Sequence, residues 1–412
     1  MRKALLSICV LLLLISPLAA VENDGFTGWT GALRPATASM GNAGLFLRDP
    51  ANVWRNPSLV DRDWHVVFPS VAVKIWNIEE NTDVFTGLIS GMMKGEEIGP
   101  HAVGFLANIP GGFKDFMDVE ASLYLGVPYS GLGVDLGFGL MSNGNGDVTS
   151  ELIANVNASF SAAGGYTFTF RDGYALSVGL GISGRYKMAS MGTEGPDGIG
   201  IKSAAEVIMN TRNGLDIPAA INELFRNGIN YSSGWAFPIS LGVTATFPYG
   251  FTLGMTVSDI NPDWYMYSYN EMDDAWAGDF SGGSKGVPFV LKGKTDIAIG
   301  TAWEMENFLS PYWLRVRMAL DFVDIIGYWR DGDWKDFPGL VQHVRMGAEL
   351  SVLTAFEFRV GLDRGYLTMG CGIDLWGNRL DLVYGVKSYG KIIYGDSLDY
   401  LSLVFTLGWE DY

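Results

Sequence analysis

The 412-residue chain carries 28 Lys and Arg against 45 Asp and Glu, a formal charge of -17, and two cysteines, Cys9 and Cys371. Nothing in that balance offers the basic stripe that phosphate contacts need, so nucleic acid is excluded as a partner. Cys371 alone would survive removal of a leader, so an internal disulfide is excluded as well.

The first twenty residues read as a leader. Arg2 and Lys3 precede an apolar run from Ala4 to Ile15, then Pro17, Leu18, Ala19 and Ala20 before the polar Glu22, Asn23 and Asp24. This is the pattern of a secretory signal peptide over 1–20, with cleavage near Ala20. Loss of Arg2 and Lys3 with it moves the formal charge from -17 to -19. An exported chain without disulfides suits a bacterial envelope protein.

Residues 21–62 are expected to form a compact, irregular unit. The stretch from Arg34 to Arg62 mixes the small Ala36, Ala38, Gly41, Ala43 and Gly44 with the turn formers Asp49, Pro50, Asn52, Asn56 and Pro57. Small residues let backbone approach a wall closely, and the turn formers forbid a long helix. From 63 to 412 the chain reads as strands of alternating polarity. Leu176, Val178, Leu180 and Ile182 oppose Ser177, Gly179 and Gly181; Ile239, Leu241 and Val243 oppose Ser240, Gly242 and Thr244, followed by the tight Pro248-Tyr249-Gly250 turn. Later the polar face becomes charged: Arg315, Arg317 and Asp321, then Arg345 and Glu349, then Glu357, Arg359 and Asp363.

Fifteen strands are predicted, near 64–76, 100–109, 117–127, 131–140, 156–170, 173–188, 235–247, 250–259, 289–303, 312–324, 342–353, 355–364, 365–375, 378–388 and 398–409. Bacterial single-chain barrels have an even number, so one of the first six is spurious or merged and fourteen is the expected count. No run of 18 apolar residues follows the leader, which rules out spanning helices and leaves a closed barrel as the structure able to cross a bilayer. Strands of about nine to twelve residues, tilted by about 45°, have the length of a membrane crossing. The fold class is therefore all-β, a transmembrane antiparallel β-barrel with an N-terminal plug, or hatch. The segments 189–234, 260–288 and 325–341 are expected to lie outside, and 248–250, 304–311, 354 and 376–377 at the periplasmic end.

A helical insertion is expected within 199–230. Ser203 and Glu206 make a capping-box pair, and Asp216 precedes a second run with Ile217, Ile221, Leu224 and Phe225 on one face. Those helices either pack on each other as a cap or line an entry groove for a hydrophobic ligand, with Ile208, Ile221, Leu224 and Phe225 as groove candidates. The charges Arg315, Arg317, Arg345, Glu349, Glu357 and Arg359 either pair with one another inside the lumen or steer an anionic head group.

At RDPANVWRNPSLV (48–60) the sequence resembles the hatch motif of the FadL-like family of long-chain fatty-acid outer-membrane transporters, with Gly41, Asp49, Ala51, Asn52, Asn56 and Pro57 matching and Ser58 standing where the family has Ala. The stretches RMGAEL, FRVGLDRG and LDLVYGVKSYG resemble FadL-like and PorV-type barrels. The resemblance implies a hatch inside a 14-stranded barrel that passes hydrophobic compounds inward or laterally into outer-membrane lipid. For the PorV-type branch it implies an accessory role, with a secretion system or secreted protein as partner.

Other chemistry finds little footing. Gly179–Gly184 has the GxGxxG spacing but lies in a strand with no βαβ unit around it. His65, His101 and His343 lack metal-ligand spacing. Asp331, Asp333 and Asp336 form either a calcium loop or a solvated acidic turn. No nucleophile motif accompanies a histidine. The expectation is a non-enzyme without cofactor or metal; a purely structural outer-membrane protein is the remaining alternative.

Overall fold

In a computed structural model, the described residues are 35–47, 49, 52–60, 64–78, 112–144, 151–170, 173–190, 231–270, 272–305, 313–353, 355–375, 377–388 and 397–410. The leader, the helical insertion with Ile208, Ile221, Leu224 and Phe225, and the strand expected at 100–109 all lie outside them.

The strands, in chain order, are β1 (His65–Trp76), β2 (Gly112–Val127), β3 (Ser130–Gly144), β4 (Glu151–Thr169), β5 (Ala175–Ser190), β6 (Tyr231–Ala236), β7 (Ile239–Thr246), β8 (Phe251–Ile260), β9 (Trp264–Tyr269), β10 (Val287–Leu291), β11 (Asp296–Met305), β12 (Leu314–Phe322), β13 (Val344–Val352), β14 (Phe356–Asp363), β15 (Tyr366–Leu375), β16 (Asn378–Ser388) and β17 (Ser397–Glu410). Every pairing is antiparallel, and β1 pairs with both β2 and β17, so the ring closes. Closure removes the sheet edge that hydrocarbon could not satisfy.

Seventeen strands make fourteen wall positions. β5 pairs with β7 along its first half and with β6 along its second, in one uninterrupted register (Ile182↔Ile239, Arg185↔Ala236). β6 and β7 are thus one wall strand broken at Phe237-Pro238, where proline removes a ladder donor. β8 and β9 likewise share a position, broken at 261–263, and β10 and β11 another, broken at 292–295. The sequence reading of 260–288 as loop therefore missed β9 and the start of β10.

Connections mostly sort by length. The turns at 128–129, 353–355 and 376–377 share one end with the start of β1 and the close of β17, whereas the strand ends that lead into 77–111, 191–230, 270–286 and 323–343 are at the other, where the two-residue turn 364–365 is the short exception. The sorting matches the expected pattern of short turns and long loops. Helix α1 (Pro35–Ser39) precedes the wall, α2 (Met272–Phe280) lies between β9 and β10, and α3 (Ile325–Arg330) and α4 (Phe337–His343) lie between β12 and β13. In this last connection burial raises the Asp324 carboxyl above its ordinary range, although it accepts Gly327 N–H at 3.0 Å as the cap of α3.

The two faces of the wall differ as the alternation predicts. Val178, Leu180, Ile182, Leu241, Leu320, Phe358, Leu382 and Phe405 are exposed on the convex face. Ser159, Ser240, Thr244, Thr256, Asp321, Glu349 and Arg359 are buried on the lumenal face. An ordinary soluble fold would invert this arrangement.

Candidate functional site: the lumen and the segment within it

Residues 35–60 run across the lumenal face and touch strands around much of the ring. Where they touch, the wall carries paired glycines. Met40 rests on Gly347 and Gly361, partners across β13 and β14; the Phe46 ring rests on Gly254 and Gly300, partners across β8 and β11; Pro57 and its neighbours rest on Gly165, Gly179 and Gly242, a row across β4, β5 and β7. A Cβ at Gly361 would overlap the Met40 backbone, and one at Gly179 the Pro57 carbonyl. Glycine on the polar phase of a strand here marks close approach of a second backbone. Met40, Ala43, Leu45, Phe46 and Leu47 then form one buried cluster with Ala298, Ala302 and Ala319 of the wall and Val323 just past β12.

The motif residues are mostly internal braces. Asn52 Nδ2 donates to Gly44 O at 2.7 Å and Asn56 Nδ2 donates to Leu45 O at 2.9 Å, tying two turns of the segment together. The Asn52 N–H donates in turn to Asp49 O at 2.9 Å. Asn56 Oδ1 accepts Ser58 Oγ at 2.6 Å, and Ser58 Oγ meets Thr244 Oγ1 of the wall at 2.5 Å. A serine at 58 thus adds a wall contact that alanine would lack. Gly41 adopts a left-handed φ of 71° against the Leu362 backbone, a position closed to side chains.

One wall residue that sequence reasoning passed over as a mere lumen charge holds the segment directly. Asp321 Oδ2 accepts the backbone N–H of Gly44 at 2.7 Å and of Leu45 at 2.9 Å, and its side chain is fully buried. Asn42 Nδ2 donates to Asp363, which also accepts Arg345 Nε at 3.0 Å.

The remaining lumen charges assemble into a network over β12–β16. Arg317 grips Glu349 with two bonds of 2.7 Å, and Arg359 Nε donates to the same carboxylate at 2.8 Å. Register explains this, since Arg317, Glu349 and Arg359 are directly opposed on adjacent strands. Arg359 also binds Glu357 and, at 2.7 Å, Asp381; Arg379 reaches Glu357 at 2.7 Å and Asp381 at 2.8 Å. Arg315 approaches Glu357 at 3.5 Å. Gly372 leaves room for these bonds to pass over β15, because a Cβ there would meet Asp381 and Arg359. Arg345 stands apart with Asp363. Arg379 and Asp381 were missed, although they alternate with Leu380 and Leu382 in the signal used for the earlier strands. The acidic turn disperses: Asp331 pairs with Arg330, Asp333 meets the His343 ring at 2.9 Å, and Asp336 caps α4. Among the described residues no group of three or more His, Cys, Asp or Glu is placed to hold a metal ion.

Above the seated segment, toward the long-loop end, the lumenal face changes character. Ala236, Trp264 and Met266 are buried there, with Phe289 and Leu291 packed against them half-buried. A second buried apolar cluster on the lumenal phase toward the same end joins Trp76 of β1, Val383 of β16 and Leu398 and Tyr400 of β17.

No protein-family profile and no curated protein matches the sequence. Among solved structures the chain is similar to the toluene transporter TbuX of Ralstonia pickettii (12% identity, TM-score 0.46, 94% of this chain and 99% of that one). It is also similar to the Pseudomonas putida toluene transporter TodX (10%, 0.41, 95% and 99%) and to a Pseudomonas aeruginosa FadL homologue (12%, 0.39, 93% and 98%). The barrel itself is established by this chain's own pairing.

Proposed function

We propose that the protein is a bacterial outer-membrane barrel that transports hydrophobic or amphipathic small molecules, with residues 35–60 as a plug in its lumen. The observation that carries this reading is the lumenal patch of Trp264, Met266, Phe289 and Leu291 above the segment. A water-filled pore keeps a polar lining, whereas an apolar patch inside the lumen suits an apolar ligand. The convex apolar face and the sorted loops support placement in the outer membrane, with the long loops outside. The buried Arg317, Arg359, Glu349 and Glu357 support a stiffening role, since each is already engaged by an opposite charge, rather than a role as a free anion receptor.

The test is binding of a long-chain fatty acid and of a monoaromatic hydrocarbon to the detergent-extracted protein, followed by mass spectrometry of what co-purifies. Phe289→Ser is expected to weaken a hydrophobic ligand by roughly tenfold. Unchanged binding of both probes, or binding of neither by the native protein, rejects the reading.

A second reading has its own observation. Trp329, Trp334 and Phe337 on the connection between β12 and β13 are 62%, 51% and 74% exposed, a surface suited to a secretion-system or secreted-protein partner. A protein that co-elutes with the native chain and is lost with Trp334→Ser supports it; its absence leaves transport alone.

A further inference from the structure

The three breaks in the wall fall side by side. Ala236 pairs with Trp264 and Trp264 with Leu291 just above them, while Ile239 pairs with Ile260 and Ser258 with Asp296 just below. The line of interruption thus runs through Phe237-Pro238, then Asn261, Pro262 and Asp263, then 292–295. Two of the three crossings contain proline, and Asp259 and Asn261 take left-handed φ values of 55° and 58°. β5 keeps a backbone bond across this line, Ser183 N–H to Pro238 O at 3.1 Å, while beyond it side-chain contacts bridge the breaks. Arg185 pairs with Asp259 at 2.6 Å, Lys292 with Asp263 at 2.5 Å, and Thr295 Oγ1 donates to Asp259 O.

What lies above the line has its own core on both sides. On the lumenal side Ala236, Trp264 and Met266 cluster with Phe289 and Leu291. On the convex side Tyr186, Met188, Tyr231 and Tyr269 cluster with Ala275 of α2. These residues share the phase of Ile182 and Leu241, so α2 is folded down onto the outside of the wall. Asp279 fastens it there by accepting Tyr186 Oη at 2.9 Å and Tyr269 Oη at 3.0 Å. β6 is laddered to β5, but at the far side β10 pairs only with β9 among the described ladders. The next wall strand, β12, ends its pairing with β11 at Ile299↔Phe322, below β10.

We propose that β6, β9, β10 and α2 form a door in the upper wall, hung on β5 and without a described ladder beyond β10, that opens as one cooperative unit about this line. Its opening widens the long-loop mouth beside the apolar patch; that consequence rests on the transport reading, whereas the motion does not. A segment with its own core and few ladder bonds to its surroundings exchanges its amides as a unit.

Hydrogen exchange read by mass spectrometry on the detergent-extracted protein tests this without any ligand. Peptides over 231–236, 264–269 and 287–291 are expected to share one exchange rate, faster than their lower continuations 239–246, 251–260 and 296–305. Asp279→Asn is expected to speed all three together by about tenfold or more, with 344–388 unchanged as the control for an intact barrel. Tyr269→Phe should do the same to a smaller degree and serves if the Asp279→Asn variant does not assemble. Upper strands that exchange at the rate of their own continuations, or variants that speed 272–280 alone, overturn the door. Because Phe289→Ser reads ligand binding and exchange reads motion, either proposal can fail while the other stands.

Discussion

Two stretches of the wall are unlike. From β12 to β17 each strand is continuous, neighbouring registers are unbroken, and the lumenal face is cross-linked by arginine-carboxylate bonds from Arg317 to Asp381. From β6 to β11 three neighbouring strands break at one level, and the lumenal face above the breaks is apolar. The segment 35–60 is seated against both, with Met40 on β13 and β14 and Phe46 and Ser58 on β7, β8 and β11 below the breaks. In the interrupted stretch part of the ladder is traded for side-chain contacts that can be made and unmade. A closed barrel can thus be rigid on one side and segmented on the other without losing closure, because β5 runs unbroken past the line of interruption.

The largest effect that would undo this contrast is expected in the charged stretch. Arg359→Met strips Glu349, Glu357 and Asp381 of a shared buried partner and should cost roughly 3–5 kcal/mol; urea unfolding of the detergent-solubilised barrel measures it, and a change under about 1 kcal/mol would mean water reaches the network. Next, Gly361→Val puts a side chain where the Met40 backbone lies and should cost about 1–3 kcal/mol through overpacking. Limited proteolysis checks that the cost falls on the segment, since cleavage within 35–60 should appear while the wall stays intact. Asp321→Ala leaves the Gly44 and Leu45 N–H groups buried without an acceptor, a penalty of about 1–3 kcal/mol; their amides should exchange faster than those of Val53 and Leu59. The smallest effect belongs to the interrupted stretch, where Pro238→Val restores a ladder donor and should change global stability by less than about 1 kcal/mol. Its signature is local, slower exchange over 231–236, and faster exchange there would contradict the role given to Pro238.

The class of fold, fourteen wall strands and the sorting of loops were legible from residue order alone, because alternation has a period of two and a closed wall has two chemically different faces. The polar phase also announced most of the buried charges. The Asn52 and Asn56 braces were foreshadowed only as a motif; that they tie one turn of the segment to another is decided by its fold. Three things emerged only in the folded ring. The breaks at 237–238, 261–263 and 292–295 become one line through pairing register, which no single strand contains. The glycines of β4, β5, β7, β8, β11, β13 and β14 become seats through a backbone more than a hundred residues away for most of them. Asp321 becomes an anchor because the turn at Gly44 and Leu45 arrives at its carboxylate. Residue order fixes what each face of a strand can tolerate, since polarity is local; which distant backbone meets that face is set by closure of the ring, a property of all the strands together.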